Sequence, residues 1–111
     1  MTSKELARDA IEIIEDKKGS DIVLLNLKKV SPIADYFVVC SGESSLHMRS
    51  IAEAVEKELK DKGARKFNRR DFSNEVWILL DFGSLIVHIF SRKGREFYQL
   101  ERLWADAERI P

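Results

Sequence analysis

Apolar positions change period several times along this chain, and each change marks an element. Leu6, Ala7, Ala10, Ile11 and Ile14 recur at the spacing of one helix face, with an acidic, solvated face opposite. Thr2-Ser3-Lys4-Glu5 has capping-box form, in which a Thr at the N-cap serves the amide of the Glu and that carboxylate returns the bond. The helix is expected to end near Gly19. Asp21 to Leu27 and Tyr36 to Ser41 are short and nearly continuous in apolarity, as strands covered on both faces tend to be. Ser31-Pro32 holds the chain extended or turned between them, because the proline ring disfavours a helical residue before it. Ser44 or Ser45 then caps a second helix, whose buried stripe is Met48, Ile51, Ala52, Val55 and Leu59 and whose stop is Gly63.

The second half reads as sheet. Arg65 to Phe72 is a weak, basic strand; Val76 to Phe82 and Leu85 to Phe90 are joined by a turn too short for a crossover helix and so pair as an antiparallel hairpin. Period two puts Ile78, Leu80 and Phe82 on one face, toward the helices, and Trp77, Leu79 and Asp81 on the other. In the next strand the polar His88 marks the outer side, shared with Ile86 and Phe90. Two readings of that outer face stay open: an exposed apolar binding patch, or a surface covered by Tyr98, Leu100 and Trp104 from a closing segment of one or two helical turns. The expected class is α/β or α+β, a single-layer mixed β-sheet flanked by helices, with residues 1–111 forming one domain.

Composition narrows the chemistry. Nineteen basic and nineteen acidic side chains cancel over 111 residues, so attraction to nucleic acid or to an anionic membrane requires a local patch. No apolar run is long enough to span a bilayer and the N-terminus has no apolar signal core, which makes the cytoplasm the expected compartment. The single cysteine, Cys40, lies in Tyr36-Phe37-Val38-Val39-Cys40, where a thiol behaves as a small buried hydrophobe. One cysteine and two distant histidines give no zinc spacing, and neither metal nor cofactor is expected.

Asp35-Tyr36-Phe37-Val38, Ser41-Gly42 before a helix with His47 and Ile51-Ala52, Trp77-Ile78-Leu79-Leu80-Asp81, Val87-His88-Ile89-Phe90, and Arg95-Glu96-Phe97-Tyr98 with Leu100-Glu101-Arg102-Leu103-Trp104 follow one another in order. This series resembles the Iojap family of ribosomal silencing factors (RsfS) over nearly the whole chain. It departs from the family's pattern at Glu43, Ser84 and Phe97. The resemblance implies a nucleotidyltransferase-like fold and a protein that binds the large ribosomal subunit on its fourteenth ribosomal protein. There it would sterically block joining of the small subunit and repress translation under nutrient limitation. Carried over by position, the binding face is Trp77, Leu79, Asp81, His88, Arg95, Tyr98, Leu100 and Glu101. Asp81 can instead cap the Gly83 turn, and Arg95 and Glu101 can pair with each other.

Two other classes compete. A small nucleotidyltransferase needs a Gly-Ser turn for phosphate and two carboxylates two residues apart on a strand for metal ions. Here Ser41-Gly42 is in the reverse order and Asp81 stands alone, so catalysis is not expected. An RNA-binding module would use Lys62, Arg65, Lys66, Arg69 and Arg70, a run that is more often a solvated helix end followed by a charged edge strand. A peripheral contact to ribosomal RNA through those residues is compatible with the silencing role. A weak homodimer through an exposed hairpin is left open.

Overall fold

A computed structural model describes residues 2–65, 68–72 and 76–110. Its elements run α1 (Ser3–Asp16), β1 (Ser20–Asn26), β2 (Tyr36–Gly42), α2 (Ser45–Asp61), β3 (Asn68–Phe72), β4 (Trp77–Asp81), β5 (Leu85–Ser91), α3 (Arg92–Tyr98), α4 (Leu100–Leu103) and β6 (Glu108–Ile110). The strands form one six-stranded sheet in the order β3-β4-β5-β2-β1-β6. Only the central β2–β5 pair is parallel; the other neighbours are antiparallel, with Trp77 opposite Phe90 and Leu79 opposite His88 across the predicted hairpin. The class is therefore α+β with a mixed sheet, as the patterning predicts.

Local chemistry sets the helix ends. Thr2 and Glu5 close the capping box, and Ser44 caps α2 by accepting from the His47 amide. Both helices stop in a 6→1 and 5→2 bonded turn: Gly19 N–H reaches Ile14 and Lys18 reaches Glu15 after α1, while Ala64 reaches Leu59 and Gly63 reaches Lys60 after α2. Gly63 holds the left-handed position there, with φ +93°, but after α1 that position falls to Lys18, at φ 66°. Gly19 comes one residue later, and a β-carbon on it would collide with the Ile14 side chain. His47 joins the two helices, accepting the Glu43 amide at Nδ1 (2.9 Å) and bonding the Lys17 carbonyl through Nε2 (2.7 Å).

The sheet is covered on both faces. Leu6, Ala10 and Ile14 of α1 and Met48, Ile51, Val55 and Leu59 of α2 pack on Val38, Cys40, Ile78, Leu80, Val87 and Ile89. Ile11 falls at the margin of that stripe and is half-buried, while Ile13 is buried in its place. The opposite face carries Leu25, Phe37, Val39, Ile86 and Phe90 beneath Leu100 and Ala107, with Trp77, Leu79, Tyr98 and Trp104 packed at the border. The closing segment thus completes the core, and β2 in the middle is buried at every residue. At about 25 cal/mol per Å² of apolar area removed from water, this second layer contributes stability as well as shape. The three-residue β6 is the element that patterning misses; it pairs with β1, Asn26 facing Glu108.

Candidate functional site

The border of the second layer gathers aromatic side chains from four elements, β3, β4, β5 and α3. Trp77 of β4 stacks on Phe90 of β5 with ring centroids 5.0 Å apart, and lies 4.5 Å from Phe72 and 4.8 Å from Tyr98 of α3. Phe97 meets Tyr98 edge-on at 4.9 Å yet is 79% exposed, and Leu103 of α4 is 75% exposed. Between α3 and α4 the chain turns at Gln99, a non-glycine residue in the left-handed region at φ 45°, whose amide bonds back to the Arg95 carbonyl. Phe97, Tyr98, Gln99, Arg102 and Leu103 line a shallow open groove at this corner. Large apolar groups left in water beside a rigid aromatic cluster are the ordinary makings of a protein-binding surface.

Polar groups hold the corner in place. The Arg95 guanidinium grips both carboxylate oxygens of Glu101, at 2.9 and 3.0 Å, and also donates to the Ser41 hydroxyl (2.9 Å) and the Asp21 carbonyl (2.7 Å). Partial burial raises the Glu101 pKa, but the Arg95 bonds and charge outweigh it and hold the group below its ordinary value. The Asp21 carbonyl sits where β1 is irregular and Asp21 itself has φ 50°. Arg95 therefore ties the closing segment to β1 and β2. Asp81 accepts the Gly83 amide at 2.8 Å, so one of its oxygens caps the hairpin turn. His88 is 3% exposed and receives the Trp77 indole N–H at Nδ1, 3.1 Å away. Burial alone pushes its pKa down to about 3.

The expected binding face divides accordingly. Trp77 and Tyr98 come together half-buried, with Leu79 packed on the same layer and Asp81 half-buried at the far end of β4, whereas His88 and Leu100 lie beneath the surface. Arg95 and Glu101 are joined to each other. An exposed hairpin face made of Ile86, His88 and Phe90 does not exist, because Leu100, Tyr98 and Trp104 pack over it; the ground for a homodimer through that face goes with it. Phe97 and Leu103 are the residues sequence reasoning did not place at the site. The signal was present: two large apolar groups in a short closing segment already rich in aromatic and aliphatic side chains.

The basic stretch is partly committed within the molecule. Lys62 pairs with Asp9 at 3.4 Å, and Arg69 pairs with Asp71 at 2.9 Å and Glu56 at 3.2 Å across β3 and α2. Arg65 and Arg70 are exposed, and Lys66 lies outside the described residues. Cys40 is fully buried among the sheet and helix side chains, with burial raising its thiol to about 12. Among the described residues no three His, Cys, Asp or Glu side chains are grouped to hold a metal, and no helix is long and apolar enough to cross a membrane.

Comparison with known proteins places these residues in company. The family model for "Ribosomal silencing factor during starvation" matches residues 1–111. A ribosomal silencing factor of Halalkalibacterium halodurans is 34% identical over 110 residues, covering 99% of this chain and 94% of the relative. The mouse protein named for mitochondrial assembly of the ribosomal large subunit is 28% identical over 99 residues, covering 85% of this chain and 42% of its own length. A crystal structure of a Chromobacterium violaceum protein superposes with a TM-score of 0.90 at 30% identity, covering 95% of this chain and 88% of that one.

Proposed function

We propose, for a chain that belongs to the family of ribosomal silencing factors, that it docks on the large ribosomal subunit, on its fourteenth ribosomal protein, and bars the small subunit from joining. The observation that carries this reading is the continuity of exposed Phe97 and Leu103 with the Trp77–Tyr98 cluster on the face opposite α1 and α2. A surface of this kind suits a protein partner: flat aromatic anchors bury rigid area at little entropic cost, and the groove at Gln99 accepts a side chain. Asp81, with one oxygen on the turn, keeps the other for a basic group of a cationic ribosomal protein. Obstruction of subunit joining asks only for a tight partner surface and bulk, and no step of it requires catalysis. With bacterial ribosomal silencing factors among its relatives, the cytoplasm is the compartment we propose for this activity.

Co-sedimentation with purified large subunits, small subunits and assembled ribosomes tests the proposal. Selective binding to the large subunit is expected, weakened roughly thirtyfold by Trp77→Ala, equivalent to ~2 kcal/mol. Equal binding to both subunits, or wild-type affinity in a folded Trp77→Ala protein, would remove its support.

A further inference from the structure

The Trp77 indole N–H points into the molecule and is spent on His88. A neutral imidazole that accepts at Nδ1 carries its proton on Nε2, and that Nε2 is buried with no hydrogen-bond partner among the described residues. Leaving a donor buried and unmet is costly, and an aliphatic residue at this central strand position would avoid the cost. Phe37 closes on the imidazole edge-on at 4.5 Å, and Phe90 lies parallel to it at 6.3 Å, so the ring is itself fixed. With its polar handle turned inward, Trp77 presents only carbon to the outside.

From this arrangement we propose that His88 is a positioning residue for binding: it locks the Trp77 indole as an apolar plate and does not itself touch the partner. The inference rests on the docking role assigned to Trp77 above. It deepens that role by specifying the partner's chemistry, since an apolar surface, aliphatic or aromatic, suffices opposite Trp77 and needs no acceptor for an indole N–H. Binding energy comes from a side chain already held in its bound rotamer, which spares the entropy of ordering it on contact.

The test compares His88→Leu with His88→Asn, whose amide oxygen can take the place of Nδ1. Solvent exchange of the Trp77 indole N–H is followed by NMR, alongside affinity for isolated large subunits. His88→Leu is expected to fold, to exchange the indole proton at least tenfold faster and to bind about tenfold more weakly. His88→Asn is expected to restore most of both. In a Trp77→Phe background, which has no N–H to hold, His88→Leu should change affinity less than twofold. A general packing role would instead lower affinity equally in both backgrounds, and that result would overturn the proposal, as would wild-type exchange in His88→Leu. Should the wild-type protein bind no subunit, the silencing role fails, and the indole exchange rates alone then decide whether His88 positions Trp77.

Discussion

Arg95 and Glu101 are joined by two parallel hydrogen bonds across the left-handed Gln99 corner, and the same guanidinium reaches Ser41 and Asp21 in the sheet. One side chain thereby fastens the α3–α4 corner to strands β1 and β2. Arg95→Ala would leave a partly buried carboxylate, a hydroxyl and a carbonyl without their donor. The expected loss is about 2 kcal/mol, with a fall in melting temperature of roughly 10 °C by calorimetry. Arg95→Lys should recover little, because an ammonium cannot reproduce the planar fork. A melting temperature unchanged in Arg95→Ala would show that the corner is held by packing alone.

Gly94 sits in the first turn of α3, where alanine would ordinarily improve a helix by about 1 kcal/mol. Here an added β-carbon would run into the Val76 carbonyl oxygen, which already accepts the Ser91 amide at 2.9 Å. Overpacking against backbone costs ~1–3 kcal/mol, so the clash prevails. Gly94→Ala should lower the urea midpoint and alter Trp77 fluorescence as Tyr98 is pushed away; a raised midpoint would contradict the close approach.

Acid should weaken the protein in two windows. Burial depresses the His88 pKa to about 3 from 6.5, so between those values the unfolded chain binds a proton that the native state refuses. The stabilisation is complete above about 6.5 and is lost as pH falls toward 3. Glu101, also depressed, adds a loss below its ordinary value of 4.5 as its carboxylate is protonated away from Arg95. Urea unfolding from pH 7 to pH 4 should show a steady decline, and His88→Leu should flatten the upper part of it.

Cys40 should resist thiol reagents in the native protein, since it is fully buried and its thiol is raised to about 12. Labelling is expected only as fast as the molecule opens, and to accelerate in urea in step with unfolding. Rapid labelling of folded protein would place Cys40 outside the core.

Legibility in the sequence tracked the strength of the local signal. The Thr2–Glu5 box, the Met48-to-Leu59 stripe and the alternation of Ile78 and Leu80 each arise from contacts made within one element or one turn, and all were readable. Three features were not. Glu108–Ile110 becomes a strand only because β1 offers an edge, and its three residues carry no period. The burial of His88 depends on Leu100, Tyr98 and Trp104 folding across the sheet, a tertiary event for which composition supplied two equal outcomes. Gly94 needs to be glycine because of Val76, a neighbour brought close by β4 and invisible in the local pattern.

The parallel pairing of β2 with β5 has a consequence for the order in which the molecule comes into being. Residues 36–42 wait for residues 85–91, which are made after α2, β3 and β4 have been laid down. Trp77, Tyr98 and Leu103 are all in the last third of the chain, so a growing polypeptide carries the foundations of the proposed docking face long before the face. Nascent chains halted after residue 84 should accordingly show no affinity for added large subunits, while released full-length protein binds them. On the proposed function, such a factor is inert throughout its own synthesis and becomes an obstruction to ribosomes only once the one that made it has finished.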